Sequence, residues 1–202
     1  MAKLIISFII LLAIAASLIS IYRVVSPSME DTLLVGDTFI ELKFWYGIRL
    51  PILGTKITGG HEPVTGDIVL FEHILDPNRT LVKRCAAVGG QTVEIVKKEL
   101  FVDDVKIPLP PEGKNADPKI IPKADNVSGK RDFISKTVIP DSTIYVLGDN
   151  RDYSFDSRAW DPLPIKNLRG KPWIIIWSID PEVSWFDIKH KIRWKKFFKK
   201  IR

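Results

Sequence analysis

Cysteine is nearly absent from this 202-residue chain: Cys85 stands alone, so no disulfide can form within it. That leaves the redox compartment open, because a domain of this size folds without one. Histidine is almost as scarce, with His61, His73 and His190 scattered through the chain. They lack the paired spacing of a metal site, and none has the setting of a positioned base with its orienting carboxylate. No long amphipathic helix separates the apolar segments of the central chain, and there is no internal repeat, which argues for an all-β or mainly β domain. A fold-wide basic face is missing too. The formal charge is +6, yet 184–202 holds eight Lys/Arg against one Asp, leaving −1 for everything before it. Basicity belongs to a tail, so nucleic acid is not the indicated partner. With 46% hydrophobic and 27% charged residues, wholesale disorder is excluded.

The chain does have one long apolar run. Leu4 to Tyr22 carries no charge and is interrupted only by Ser7, Ser17 and Ser20. At 1.5 Å per residue, ~19 helical residues reach ~28 Å, close to the ~30 Å bilayer core. A cleaved signal peptide is one reading, with Ala13-Ile14-Ala15 as its small-x-small site. The run continues past that site to Ile21 with no polar stretch before it, which favours an uncleaved anchor over residues 1–23. Lys3 and Arg23 flank the run on opposite sides, so charge gives little leverage on orientation.

After the anchor the pattern is that of short strands: Asp37–Lys43, Ile68–Phe71, Thr80–Val88, Gln91–Val96, Glu99–Val102, Thr143–Leu147 and Trp173–Trp177. Lys97-Lys98 would turn a hairpin without the usual Asn-Gly. Residues 44–63 are aromatic and apolar, then Gly-rich, a core-covering or membrane-facing loop. Residues 108–136 are rich in Pro, Lys, Asp and Gly and predict a surface insertion, bounded at about 104–136. The tail, 184–202, places Trp194, Phe197, Phe198 and Ile201 at helical spacing among lysines and arginines. Two readings fit it: an interfacial helix on anionic lipid, or a solvated helix packed on its own domain. The expected organisation is therefore a transmembrane helix, a mainly antiparallel β domain over 24–183 with an inserted surface subdomain, and a basic amphipathic tail.

Ser26-Pro27-Ser28-Met29 comes directly after the anchor. A serine is a poor nucleophile until a neighbour takes its proton. With no histidine suited to that, a lysine is the alternative. A solvated lysine has a pKa of ~10.4 and must fall to ~7–8 to act as a base, roughly 4 kcal/mol of disfavoured charge. Burial supplies that. Lys83, within the strand-like Leu81–Val88, fits if it points inward and is an ordinary solvated strand lysine if it points outward.

Four stretches, in order, resemble the membrane-bound type I signal peptidases, a Ser/Lys family of serine endopeptidases. They are Ser26-Pro27-Ser28-Met29 with Thr32-Leu33, Gly66-Asp67-Ile68-Val69, Lys83-Arg84, and the highly diagnostic run from Gly148 through Asp149, Asn150, Arg151, Asp152, Tyr153, Ser154, Phe155, Asp156 and Ser157 to Arg158. The resemblance implies Ser28 as nucleophile and Lys83 as general base. It implies an oxyanion hole from the Ser28 N–H and Ser26 hydroxyl, Ser154 orienting the lysine amine, Asp156 and Arg158 as a structural ion pair, and Met29 lining the substrate site. It also implies cleavage of signal-peptide-bearing preproteins after a small-x-small motif through an acyl-enzyme. No metal or cofactor is expected, membrane lipid is an expected partner, and the catalytic domain would lie on the extracytoplasmic face of the plasma membrane. The chain departs from the family at Asp31, where proline is usual, and at Cys85-Ala-Ala-Val-Gly-Gly-Gln91, where a hydrophobic-Gly-hydrophobic-Pro-Gly-Asp pattern is usual. Two other readings compete. Related self-cleaving Ser/Lys regulators would carry a DNA-binding helical module, and nothing here looks like one. A non-catalytic membrane-tethered β domain, binding acidic partners or lipid through its tail, is disfavoured by the intact Ser28, Lys83 and Ser154.

Overall fold

The computed structural model describes residues 4–8, 18–49, 56–57, 60–74, 76–124 and 129–202. Among these, thirteen strands account for most of the regular structure. In chain order they are β1 (Ile19–Arg23), β2 (Asp37–Leu42), β3 (Ile48–Arg49), β4 (Lys56–Ile57), β5 (Ile68–Glu72), β6 (Thr80–Val88), β7 (Thr92–Val96), β8 (Glu99–Val102), β9 (Val105–Ile107), β10 (Phe133–Val138), β11 (Thr143–Leu147), β12 (Leu163–Pro164) and β13 (Leu168–Ser178). The larger sheet runs β1-β2-β13-β5-β6-β11-β12, a smaller one runs β10-β7-β8-β9, and β3 pairs with β4. Each strand pair is antiparallel, as the expected mainly β class requires.

The strongest apolar runs make the central strands. Ile68-Val69-Leu70-Phe71 is buried on both faces, and three side-chain clusters form around it and its neighbours. One gathers Val69, Phe71, Val146 and Trp160; a second places Ala87, Tyr145 and Leu147 against Val93, Ile95 and Leu100 of the smaller sheet; the third packs Met29 and Leu33 on Phe39, Leu70 and Ile175. The second cluster seats the hairpin sheet on the larger one. Its Lys97-Lys98 turn has φ of +49° and +72°, the left-handed pair that a two-residue turn needs to match strand twist, reached here without glycine.

The apolar run read as an anchor falls largely outside the described residues. Of its described part, 4–8 is helical, and no helix among the described residues is long and apolar enough to cross a membrane. The run's carboxyl end differs from expectation. Ile19–Arg23 is an edge strand paired with β2, and Tyr22 stacks on Phe39 at 6.0 Å. Alternation of Ile19, Ser20, Ile21 and Tyr22 suits a half-buried strand as well as it suits a span. In the aromatic loop, Tyr46 is buried and its hydroxyl donates to Asp67 at 3.2 Å, while Trp45 stacks on His61. The stretch read as an insertion is also only partly irregular. Phe133–Val138 is strand β10 on β7, and its exposed residues are polar apart from Val138, as suits a sheet edge.

The tail differs most. Instead of one amphipathic helix it has a single helical turn at Ile188–Lys191 and a 3-10 turn at Trp194–Lys196. Phe198 has φ of +57°, which no helix continues through. β5 covers only Leu168–Gly170 of β13, and the tail covers the residues beyond: Phe198 N–H donates to Ile175 O at 2.8 Å, Ile175 N–H to Lys199 O at 3.0 Å and Ile201 N–H to Trp173 O at 3.0 Å. An uncovered strand edge recruited the chain end, overriding the local periodicity. Charge fastens it. The buried Asp37 carboxylate accepts from Lys196 Nζ at 2.6 Å, Ser178 Oγ at 2.6 Å and the Leu34 N–H at 2.9 Å.

Asp37→Ala should therefore lower the free energy of unfolding by about 2–4 kcal/mol, because it strands a half-buried ammonium and a buried hydroxyl. Urea unfolding measures this. A loss below about 0.5 kcal/mol would mean that the carboxylate does not hold the tail.

Candidate active site

Ser28 lies in a 3-10 turn, Pro27–Met29, that opens after Ser26. Proline fits the first turn position because its fixed φ is already helical and its missing N–H would have had no partner there. The turn is held from outside. Asn150 N–H donates to Ser28 O at 3.1 Å, and the Asn150 amide to Pro27 O at 3.3 Å and Glu30 Oε2 at 3.0 Å. Thr32 donates to Asp149 at 2.6 Å. Met29 and Leu33, both buried, anchor the turn's apolar side.

Lys83 is in β6, opposite Val69 of β5, and points inward: it is 3% exposed. Its Nζ lies 2.5 Å from Ser28 Oγ, bridging 55 residues of sequence, and Ser28 is itself 7% exposed. Burial pushes the Lys83 amine down to about 8; Asp156 and Asp149 oppose the shift and Arg158 adds to it. That is roughly 3 kcal/mol of charge made unfavourable by removal from water. Geometry and electrostatics together produce a serine hydroxyl touching a lysine that can lose its proton near neutral pH.

The loop that closes over the pair is a stack of ion pairs. Arg84, next to the lysine, grips Asp149 with two bonds of 2.8 and 2.7 Å and donates to Gly66 O at 2.9 Å. Asp156 and Arg158 form a second two-bond pair, both at 2.8 Å, and Asp156 also accepts the Gly148 N–H at 3.0 Å. Burial alone would raise the Asp156 carboxyl, but Arg158 beside it and these donors hold it below the ordinary carboxylate range. A β-carbon at Gly148 would sit 2.2 Å from Ser154 Oγ and 2.5 Å from Ser28 O, so only glycine lets the loop come this close.

Of the residues singled out in sequence, Ser28, Lys83 and Met29 share one cleft with Ser26, whose hydroxyl accepts the Ser28 N–H over a long 3.4 Å. Asp156 and Arg158 are buried behind it. Ser154 Oγ is buried against Gly148 and makes no hydrogen bond of normal geometry, to Lys83 or to any other described residue, though it lies near enough to Asp156 to help keep that carboxylate ionised. Cys85 belongs to the core cluster of Val69 and Val146, its thiol pushed up to about 12 by burial and by Asp67. Asp31 has φ of +74°, which a proline ring forbids, so its replacement of the family's usual proline goes with a different backbone at that turn. Both its carboxylate and that of Glu30 meet Lys114, at 2.9 and 3.0 Å. The altered base box is satisfied as well: Gly90 takes φ of +86° and Gln91 Oε1 accepts the Val88 N–H at 3.0 Å. Sequence reasoning missed the roles of Thr32, Arg84, Asp149 and Asn150, although all four lie inside the motifs that carried the resemblance.

The cleft holds about 490 Å³ and runs from this pair between the end of β1 and the start of β6. Its walls are mostly apolar, with Val24, Leu70, Leu81 and Val82 among them. β11 pairs with β6 only from Arg84 onward, so Thr80–Val82 presents an unpaired strand edge to the cleft, and β1 presents another as the terminal strand of its sheet. Among the described residues no cluster of His, Cys, Asp and Glu suits a metal ion.

Comparison with known proteins agrees with the motifs. A family model described as "Signal peptidase, peptidase S26" matches residues 1–177. Signal peptidase I of Pseudomonas aeruginosa is 32% identical over 201 residues, covering 87% of this chain and 71% of that protein. Signal peptidase I of Aquifex aeolicus is 27% identical over 207 residues, covering 78% and 75%. A crystal structure of a signal peptidase I from Enterococcus faecalis aligns with 55% of this chain and 97% of its own, at a TM-score of 0.40 and 19% identity.

Gly148→Ala should cut acylation of Ser28 by a serine-directed acylating probe at least about 100-fold, since a shift of ~1 Å in a positioning loop costs that much. Intact-mass labelling rates measure it. Labelling within about threefold of the parent would show that the close approach of Gly148 to the Ser28 carbonyl does not position the nucleophile.

Proposed function

The chain belongs to the signal peptidase family, peptidase S26, serine endopeptidases that remove signal peptides from preproteins, and we propose that in this member the reaction runs on Ser28 and Lys83. The observation that carries the assignment is the 2.5 Å contact between Ser28 Oγ and a lysine amine that burial has brought down to about 8.

Neutral Lys83 takes the Ser28 proton as Oγ attacks the scissile carbonyl. The Ser28 N–H and Ser26 hydroxyl, now joined by a 3.4 Å bond that is easily exchanged, turn to the developing oxyanion. The Lys83 ammonium returns its proton to the leaving amine, the mature chain departs, and water, deprotonated by the same lysine, hydrolyses the acyl-serine. Ser154, buried and lacking a hydrogen bond, is available to the Lys83 amine once the Ser28 hydroxyl has become an ester. Asp156 and Arg158 keep the loop in place without touching substrate. An extended peptide entering the cleft finds two unpaired strand edges to hydrogen-bond, and the end at Ser28 and Met29 would receive the side chains of a small-x-small motif. None of these steps calls on a metal or cofactor.

Placement at a membrane is supported by the surface next to the cleft. Val25 is 82% exposed and Ile21 60%, and the described residues 4–8 of the amino-terminal segment are exposed and mostly apolar. We assign residues before β1 to a membrane anchor, with the β domain on the extracytoplasmic side. Trp185, Phe186, Trp194 and Phe198 of the tail are exposed among lysines, a surface suited to the lipid interface even without a continuous helix.

A preprotein cleaved in detergent should give a product whose mass places the cut after small-x-small. Ser28→Ala and Lys83→Ala should each lower kcat/KM by at least about 1000-fold, the scale of losing a nucleophile or its base. Cleavage surviving in Lys83→Ala would move the base to another group, and His73, which lines the cleft, would be the first to test.

A further inference from the structure

The cleft has one uncompensated chemical feature: its lining includes Arg23, Arg79, Lys83 and His73 but no aspartate or glutamate among the described residues. Lys83 is accounted for by Ser28. The other three lie at the far end. Arg79 precedes β6 and is four residues before Lys83, and Arg23 ends β1 five residues before Ser28. At about 3.3 Å per extended residue, Arg79 is roughly 13 Å along β6 from Lys83, and Arg23 is at most about 16 Å from Ser28, a path that the 3-10 turn shortens. Arg23 and Arg79 are both exposed, and neither guanidinium has a hydrogen bond or ion pair among the described residues. Arg84, Arg131, Arg158, Arg169 and Arg193, by contrast, each pair with a carboxylate. His73 adds an independent sign of a missing partner. It is 8% exposed, wedged near Trp160 and Phe155, and its Nδ1 is buried without a hydrogen bond.

We infer that Arg23 and Arg79 are specificity-determining residues that select substrates carrying an acidic side chain four to five residues from the scissile bond, with His73 hydrogen-bonding the same stretch of peptide. This rests on the peptidase reading of the cleft and adds to it a charge preference. An extended peptide laid between the edges of β1 and β6 brings its fourth or fifth residue from Ser28 to the part of the cleft that Arg23 and Arg79 line. A carboxylate there meets two cations and no carboxylate of the cleft lining, while a lysine there meets like charge. Because both arginines are exposed, the preference is screened by salt.

The test uses the full chain in zwitterionic detergent and three peptide series that share one small-x-small site. Each series carries Glu, Gln or Lys at the fourth and fifth positions, on either side of the bond. Wild type should favour Glu over Lys by about tenfold in kcat/KM at low ionic strength on one side of the bond, and the ratio should shrink at about 0.5 M salt. Arg23→Gln with Arg79→Gln should bring the ratio close to one, with the Gln peptide as internal reference, and Arg79→Glu should tilt it toward Lys. Equal cleavage of all three peptides by wild type would overturn the inference and leave the peptidase intact. So would an unchanged ratio in the double variant. Loss of binding to anionic vesicles in that variant, with peptide selectivity retained, would instead assign the arginines to lipid phosphate and overturn the inference equally. No cleavage of any peptide by wild type would defeat the peptidase reading itself, and the charge preference with it.

Discussion

Taking one ammonium out of water is the constraint on which the rest of this structure depends. Lys83 becomes a base only if β6 turns it inward, and β6 can do so only because β5 lies alongside and the Ser28 turn caps the end. The serine hydroxyl is then both the group to be activated and, among the described residues, the hydrogen-bond partner of the buried amine. The charges nearest to the lysine are arranged as pairs, Arg84 with Asp149 and Arg158 with Asp156. Each pair is close to neutral as a unit, so the loop over the site can be rich in charge without restoring the lysine's proton. A lone carboxylate in place of either pair would do the opposite.

This division of labour explains why the charged residues of the 148–158 loop are so deeply buried. They cost desolvation, and they are weak stabilisers for that reason. Their contribution is position: the Gly148 N–H on Asp156, the Asn150 N–H on the Ser28 carbonyl, and Thr32 on Asp149 fix the nucleophile's turn from three directions. The tail covers the edge of β13 that β5 leaves bare, held by backbone bonds and by the Lys196 ammonium on Asp37. Its final residues return toward the site, where Arg202 O accepts from Arg84 at 3.2 Å.

Much of the architecture is legible where side-chain pattern and backbone demand coincide. β6 and β11 match their sequence boundaries to the residue, because each is a mostly apolar run that a glycine ends, at Gly89 and Gly148, and that a turn precedes, at Asn78 and Ser142. β13 is legible over less than half its length, since Gly170 and Pro172 look like breakers. The strand tolerates Pro172 at an irregularity in its register with β2. β1 is hidden inside an apolar run that suits a membrane helix equally well, and β10 inside a polar stretch because edge strands need only one apolar face. The tail's helical spacing is real but loses to a long-range strand edge that no local window can see. The pairing of Ser28 with Lys83 spans too many residues for spacing to reveal, so the motifs carry it. They carry it without showing why Thr32, Arg84, Asp149 and Asn150 are there, since a hydrogen-bonding role is visible only once the two ends of the chain have met.

The most direct measurement is the titration of Lys83 itself, by the pH dependence of its ε-carbon chemical shift in selectively 13C-labelled protein, assigned by its loss in Lys83→Met. The account predicts a midpoint near 8, well below the ordinary lysine value of ~10.4. It also predicts that Ser28→Ala leaves the midpoint depressed, because burial comes first among its causes. A midpoint at ~10 or above in the folded protein would mean that the amine is solvated and charged at neutral pH. The central claim, that the fold makes Lys83 a base by keeping it dry, would then be wrong.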